Sequence, residues 1–234
     1  MIPSGSGRLF CGLIRVAISH HLLGCDNGSG SNLVPDLTAL FRERHCAQGN
    51  ESLKWQAYIH LVSDTGMRRG EACGLHWADI DWKSGIIRVR HNLQYTPSAG
   101  VYLTNPKNGQ ARSVDVGPEV LGLLQRLRME QATKCISKFV FSQEGSPEPM
   151  NPQTPTRYFK KLEKRYGIHD FHPHKLRHTS ASISLTHGGD LVSVSQRLGH
   201  SDTAVTLRMY AYANEESIRR AGQVVRDALR ANQG

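Results

Sequence analysis

The five cysteines, Cys11, Cys25, Cys46, Cys73 and Cys135, are odd in number and scattered, and no two form a C-x-x-C pair. That pattern argues against a disulfide framework and against a zinc knuckle, and it fits a reducing cytoplasm. No apolar run is long enough to span a bilayer. The opening segment MIPSGSGRLFCGLIRVAISHHLLG has a short apolar patch. Arg15 interrupts it and no basic n-region precedes it, so it does not read as a signal peptide. No internal repeat is present. Acidic residues are in the minority, with 20 Asp and Glu against 29 Lys and Arg, for a formal net charge of +9. A surplus of that size suggests a polyanionic partner, most often nucleic acid.

What remains is ordinary globular material. With 234 residues and 38% of them hydrophobic, the chain suits one medium domain with an appendage and can bury a real core. Apolar residues recur at helical spacing from Leu9 to Leu23. GCDNGSGSNLVP then reads as a linker. Residues 36–46 and 52–63 read as helices, and a short helix carries Glu71 and Leu75. From Gly85 the texture changes. GIIRVRHNLQY, GVYLT and ARSVDV alternate and favour β-branched residues, which predicts three short strands joined by TPSAG and NPKNGQ. Pro118 opens a helix, PEVLGLLQRLRMEQA, from the first helical position. KFVFS reads as a short strand and SPEPMNPQTP as a Pro-rich loop. Helices are expected at about 154–166, 174–187, 190–198, 203–213 and 215–231. The fold class is mainly α with one small antiparallel β-sheet.

The chemistry-bearing residues are concentrated in a few short segments. HKLRH places His174 and Arg177 three apart on a helix, with His178 four from His174, so the three can share a face. No carboxylate lies at ligand spacing beside these histidines, which argues against a metal there. In RLGHSDTAVTLRMYAY, Gly199 suits a left-handed helix end, and Ser201 or Asp202 can cap the next helix. His200 is thereby held in a tight corner, with Tyr210 further along. TGMRRGE puts Arg68 ahead of Glu71, and NPKNGQ puts Lys107 at a hairpin tip.

Together these segments resemble the tyrosine recombinase (phage integrase) family. Its T-G-x-R-x-x-E box stands as Thr65, Gly66, Arg68 and Glu71, and its hairpin lysine as Lys107 in PKNG. Its H-x-L-R-H box stands as His174, Leu176, Arg177 and His178. Its L-G-H box stands as Leu198, Gly199 and His200, followed by Tyr210. The boxes keep the family's order across about residues 50 to 213. The resemblance implies an integrase-like catalytic core of DNA breaking-rejoining enzymes. It implies attack by Tyr210 on a DNA phosphodiester, leaving a 3′-phosphotyrosine and a free 5′-hydroxyl. Arg68 and Arg177 would clamp the non-bridging oxygens, because each offers a rigid, permanently charged fork. His200 would add a hydrogen bond, His174 would take the tyrosine proton, and Lys107 would protonate the leaving oxygen. Glu71 would support Arg68. No metal, other cofactor or ATP is implied.

The implied partner is double-stranded DNA, gripped by a homo-tetramer, with no membrane and no small-molecule substrate. The implied setting is the cytoplasm of a prokaryotic cell, with the gene on a phage or mobile element. Residues 1–24 read as a remnant of the last helix of an N-terminal core-binding domain, 25–35 as a linker and 36–234 as the catalytic domain. Two residues depart from the family pattern, Lys175 and Tyr212. Tyr212 is thus a rival nucleophile, though the spacing of Tyr210 from His200 matches the family. In the C-terminal segment, Ile218, Ala221, Val225 and Leu229 make an apolar stripe that can pack on its own domain or, as the resemblance implies, dock on a neighbouring protomer. Two alternatives share these residues: relaxation of DNA in the manner of a type IB topoisomerase, and a truncated remnant that binds DNA without cutting it.

Overall fold

The computed structural model describes residues 52–106, 111–166 and 170–200, together with 203, 204 and 206. The expected helices at 36–46 and 215–231, the division at 1–24 and 25–35, the hairpin tip with Lys107, and Tyr210 and Tyr212 lie outside the described residues. The chain divides into two compact units, residues 1–180 and 181–234.

In the first unit, helix α1 (Leu53–Thr65) leads into the short helix α2 (Arg69–Cys73) and a 3₁₀ turn (Trp77–Asp79). Five short strands follow: β1 (Ile80–Asp81), β2 (Ile86–Val89), β3 (Asn92–Thr96), β4 (Gly100–Thr104) and β5 (Arg112–Asp115). Helices α3 (Pro118–Lys134), α4 (Gln153–Tyr166) and α5 (Pro173–Thr186) follow among the described residues, the last running on past Ser180. Pro118 sits at the start of α3 as expected, behind an N-cap at Gly117. Asp64 of α1 accepts the Gly117 N–H at 3.0 Å, which ties the start of α3 to the end of α1. The core gathers the apolar faces of the helices and the sheet, including Tyr58, Leu61, Val62, Leu124, Phe141, Phe159 and Leu162. Tyr58 meets Phe141 edge-on at 5.2 Å. Burying an aromatic or large aliphatic side chain of this kind stabilises the fold by roughly 1.5–3 kcal/mol.

The strands are antiparallel, as expected, but they form two small sheets, β1-β2-β5 and the hairpin β3–β4. The reading of GIIRVRHNLQY as one strand is corrected, since the chain leaves the ladder at Arg90 and His91. Arg90 reaches Asp79 there, its Nε donating at 2.7 Å. Helix α2 presses on the next residues: a Cβ on Gly70 would stand 2.5 Å from the Leu93 carbonyl oxygen. KFVFS is not a strand either. Phe139 and Ser142 each form one isolated bridge, with His76 and Pro149, the Val140 N–H donating to Leu75 O at 2.9 Å and the Met150 N–H to Phe141 O at 2.8 Å, and side chains add to this hold, Ser137 donating to Pro147 O at 2.7 Å and Gln131 to Ser142 Oγ at 2.6 Å.

In the second unit, helix α6 (Leu191–Leu198) is capped by Asp190, which accepts from the Ser193 N–H at 2.9 Å. A small core joins Ala181, Leu185, Val194 and Leu198. Among the described residues, no helix is long and apolar enough to cross a membrane.

Candidate active site

The site starts from the way α1 ends. Gly66 adopts the left-handed conformation (φ 63°), and its N–H donates to Val62 O at 2.9 Å. A glycine enters that region without a Cβ penalty. Thr65 donates its hydroxyl to Leu61 O at 2.6 Å, and the Thr65 hydroxyl oxygen accepts the Met67 N–H at 3.3 Å. The reversed chain then presents Arg68 in extended conformation as the N-cap of α2. Glu71, three residues on, accepts the Arg68 N–H at 2.8 Å and a guanidinium N–H at 2.9 Å. The carboxylate therefore fixes both the backbone and the side chain of Arg68.

Glu71 is 1% exposed and has a second partner that sequence reasoning missed. Arg112 of β5 makes a two-pronged pair with it, Nη1 to Oε1 at 2.9 Å and Nη2 to Oε2 at 2.7 Å. Burial pushes the Glu71 carboxyl up. The Arg112 hydrogen bonds and charge, then the Arg68 amide and guanidinium, outweigh burial and hold it at about 2. A usable signal lay in the alternation of ARSVDV. Val114 and Val116 are buried, so Arg112 shares their face and needs a buried anion.

Arg177 arrives from α5, 109 positions after Arg68 in the sequence. It is 1% exposed, and its Nη1 donates to the carbonyl oxygen of Gly66. Burial and the neighbouring Arg68 charge pull it down to about 9, against the opposing charge of Glu71. It remains charged at neutral pH. The turn at Gly66 thus serves twice, aiming Arg68 and anchoring Arg177.

One turn before Arg177, the His174 ring meets His178 edge-on at 4.3 Å, so the two do share a face. His174 is lowered to about 4, first by burial, then by the charges of His178, Arg177, His172 and Arg68. It is a neutral imidazole at pH 7 and can accept a proton. The dense imidazoles at this helix start have separate duties. His172 accepts the Lys175 N–H on its Nδ1 at 3.2 Å, capping α5, and Lys175 reaches Asp170 at 2.7 Å.

In the second unit, α6 closes as expected. Gly199 is left-handed (φ 67°), with its N–H on Gln196 O at 2.9 Å and the His200 N–H on Ser195 O at 3.0 Å. His200 Nδ1 lies 2.8 Å from Thr206 Oγ1, which orients the ring.

Arg68 and Arg177 lie close enough to each other and to His174 for their charges to act on it, and this gathering of cationic donors suits the binding of a phosphate group. The sequence profile of the phage integrase family matches residues 38–217. The chain belongs to that family. It is 30% identical over 155 residues to the tyrosine recombinase XerC of Xanthomonas axonopodis pv. citri, covering 66% of this chain and 45% of XerC. It is 31% identical over 150 residues to the tyrosine recombinase XerA of Saccharolobus solfataricus, covering 63% and 42%. The chain thus spans rather less than half the length of these relatives. Among solved structures, the Tn1549 transposon integrase in complex with a circular intermediate DNA superposes with a TM-score of 0.70 at 22% identity, covering 86% of this chain and 67% of that one. That likeness confirms the fold class, mainly helical with small antiparallel sheets.

Proposed function

We propose that this chain carries the catalytic core of a site-specific DNA recombinase that cuts and rejoins strands through a 3′-phosphotyrosine. The observation that carries the reading is the convergence of two guanidiniums at the Gly66 turn. Glu71 fixes Arg68, and the Gly66 carbonyl fixes the buried Arg177. Donors already held in place cost no reorganisation when negative charge develops on the phosphate oxygens. Family membership and the DNA complex of the Tn1549 integrase support DNA as the substrate.

In the proposed reaction the Tyr210 oxygen bonds to phosphorus as the bond to the 5′-oxygen breaks. The phenolic proton goes to His174, which is neutral at pH 7. Lys107 supplies a proton to the departing 5′-oxygen, and His200 donates to a non-bridging oxygen, with its Nδ1 oriented by Thr206. The phosphotyrosine conserves the bond energy, so rejoining is the reverse step and needs no ATP. Assembly as a homo-tetramer on double-stranded DNA, in the cytoplasm, belongs to the same proposal. The test is covalent trapping on a nicked DNA duplex. Wild type should give a protein–DNA adduct, and Tyr210→Phe should give none while still binding DNA. An adduct that persists in Tyr210→Phe and vanishes in Tyr212→Phe would move the nucleophile to Tyr212. No adduct from wild type would overturn the reading.

A further inference from the structure

A second cluster of ligating side chains lies in the first unit, outside the residues assigned above. His76 caps the 3₁₀ turn, Asp79 closes it, and His91 sits on the connector between β2 and β3. One potential ligand atom from each lies within 4.8 Å of the others. The two imidazoles stand 4.4 Å apart, ring centre to ring centre. We propose that His76, Asp79 and His91 form a binding site for a divalent transition metal of the zinc class, pinning the 3₁₀ turn to the root of the β3–β4 hairpin.

Two observations support the site. His76 Nε2 is buried and has no hydrogen-bond partner. A buried polar nitrogen left unsatisfied costs free energy, and a metal bond would remove that cost. Asp79 is already oriented. Its Oδ1 takes both donations from Arg90, and its Oδ2 takes the His76 N–H at 3.1 Å, leaving a lone pair for a ligand bond. Arg90 then plays the outer role that hydrogen-bonded partners of ligating carboxylates commonly play.

Two imidazoles and one carboxylate are a donor set that zinc accepts, with water completing the shell. Bonds near 2.0–2.1 Å call for ligand atoms about 3.3 Å apart, so the cluster must contract. His91 lies in neither ladder, and its ring can turn. Arg90 and Lys138 oppose a dication, yet both are exposed side chains, and Asp79 offsets one charge. This site is independent of the proposed DNA chemistry.

The test is titration of metal-stripped protein with Co²⁺, read by its visible absorption, and with Zn²⁺ in competition. Wild type and His174→Gln should bind one equivalent that His91→Ala loses, with affinity weakened at least about tenfold. Zn²⁺ should also protect His91 of wild type from diethyl pyrocarbonate, read by mass spectrometry, which needs no folded variant. The proposal is overturned if wild type binds no cobalt, if His91→Ala binds it equally, or if zinc leaves His91 as reactive as in the metal-stripped protein.

Discussion

Replacing Glu71 with glutamine tests whether one buried carboxylate organises the arginine cluster. The substitution keeps the side chain's shape and removes only its charge. In the wild type the carboxyl is held at about 2, against an ordinary value of 4.5, by Arg112 and Arg68 acting against burial. A difference of about 2.5 units corresponds to about 3 kcal/mol of folding free energy at pH 7. Loss of one partner from a buried ion pair costs roughly 3–5 kcal/mol, so the two routes to the magnitude agree.

The sign with pH is specific. A carboxyl depressed by folding contributes stability that is complete above its unfolded value and is lost as pH falls through the folded one. The Glu71 contribution should therefore be whole at pH 7 and fall between about pH 4.5 and about pH 2. Linkage leaves roughly half of that contribution, or a little less, at pH 3. Other carboxylates titrate in both proteins and cancel in the difference. Urea unfolding of wild type and Glu71→Gln at pH 7, 5, 4 and 3 should show a gap of about 3 kcal/mol that roughly halves by pH 3. A gap under about 1 kcal/mol at pH 7, or one that does not change with pH, would refute the assignment of Glu71 as the charged anchor.

Three further outcomes follow from the same geometry. Arg177→Lys keeps a charge but loses the fork that reaches Gly66 O, so the single-turnover cleavage rate should fall about a hundredfold or more while circular dichroism stays native. Near-wild-type cleavage would remove Arg177 from the phosphate clamp. Because His174 is lowered to about 4, kcat/KM for cleavage should stay flat on lowering pH from 7.5 to 5.5 if His174 is the base, and a half-point near 6.5 would refute that lowered value. Gly70→Ala should destabilise by about 1–3 kcal/mol in urea unfolding, because the added methyl meets the Leu93 carbonyl. Were that space open, alanine's better helix propensity would stabilise instead.

Much of this arrangement could be read from local signals. Pro118 at the head of α3 and Gly199 at the end of α6 act through their own backbones, and the residues around them add little. His174, Arg177 and His178 lie on one helix, where spacing alone settles which face they share. What escaped reading was set by contacts distant in sequence. Nothing near Arg90 says that the strand must break there, because the cause is Asp79, eleven residues earlier, together with the close approach of Gly70 to β3. The single bridge at Phe139 likewise depends on His76. A sequence pattern reports what a segment prefers, and these segments yielded to what packs on them.

Arg112 is the intermediate case, and it shows how the site could be read further. Its strand register was legible, and the register put a guanidinium on the buried face. A cation there requires an anion, and the first unit offered a carboxylate already implicated beside Arg68. Following that requirement would have joined β5 to α2 before any coordinates existed. The same reasoning explains why the support of Arg68 is shared. One carboxylate tied to Arg68 alone could swing with it, since only three residues separate them. Tied also to Arg112 on a sheet, 41 positions away, it becomes a fixed post against which Arg68 is held. Positional accuracy at the phosphate would then derive from the sheet, with Glu71 as the link that transmits it.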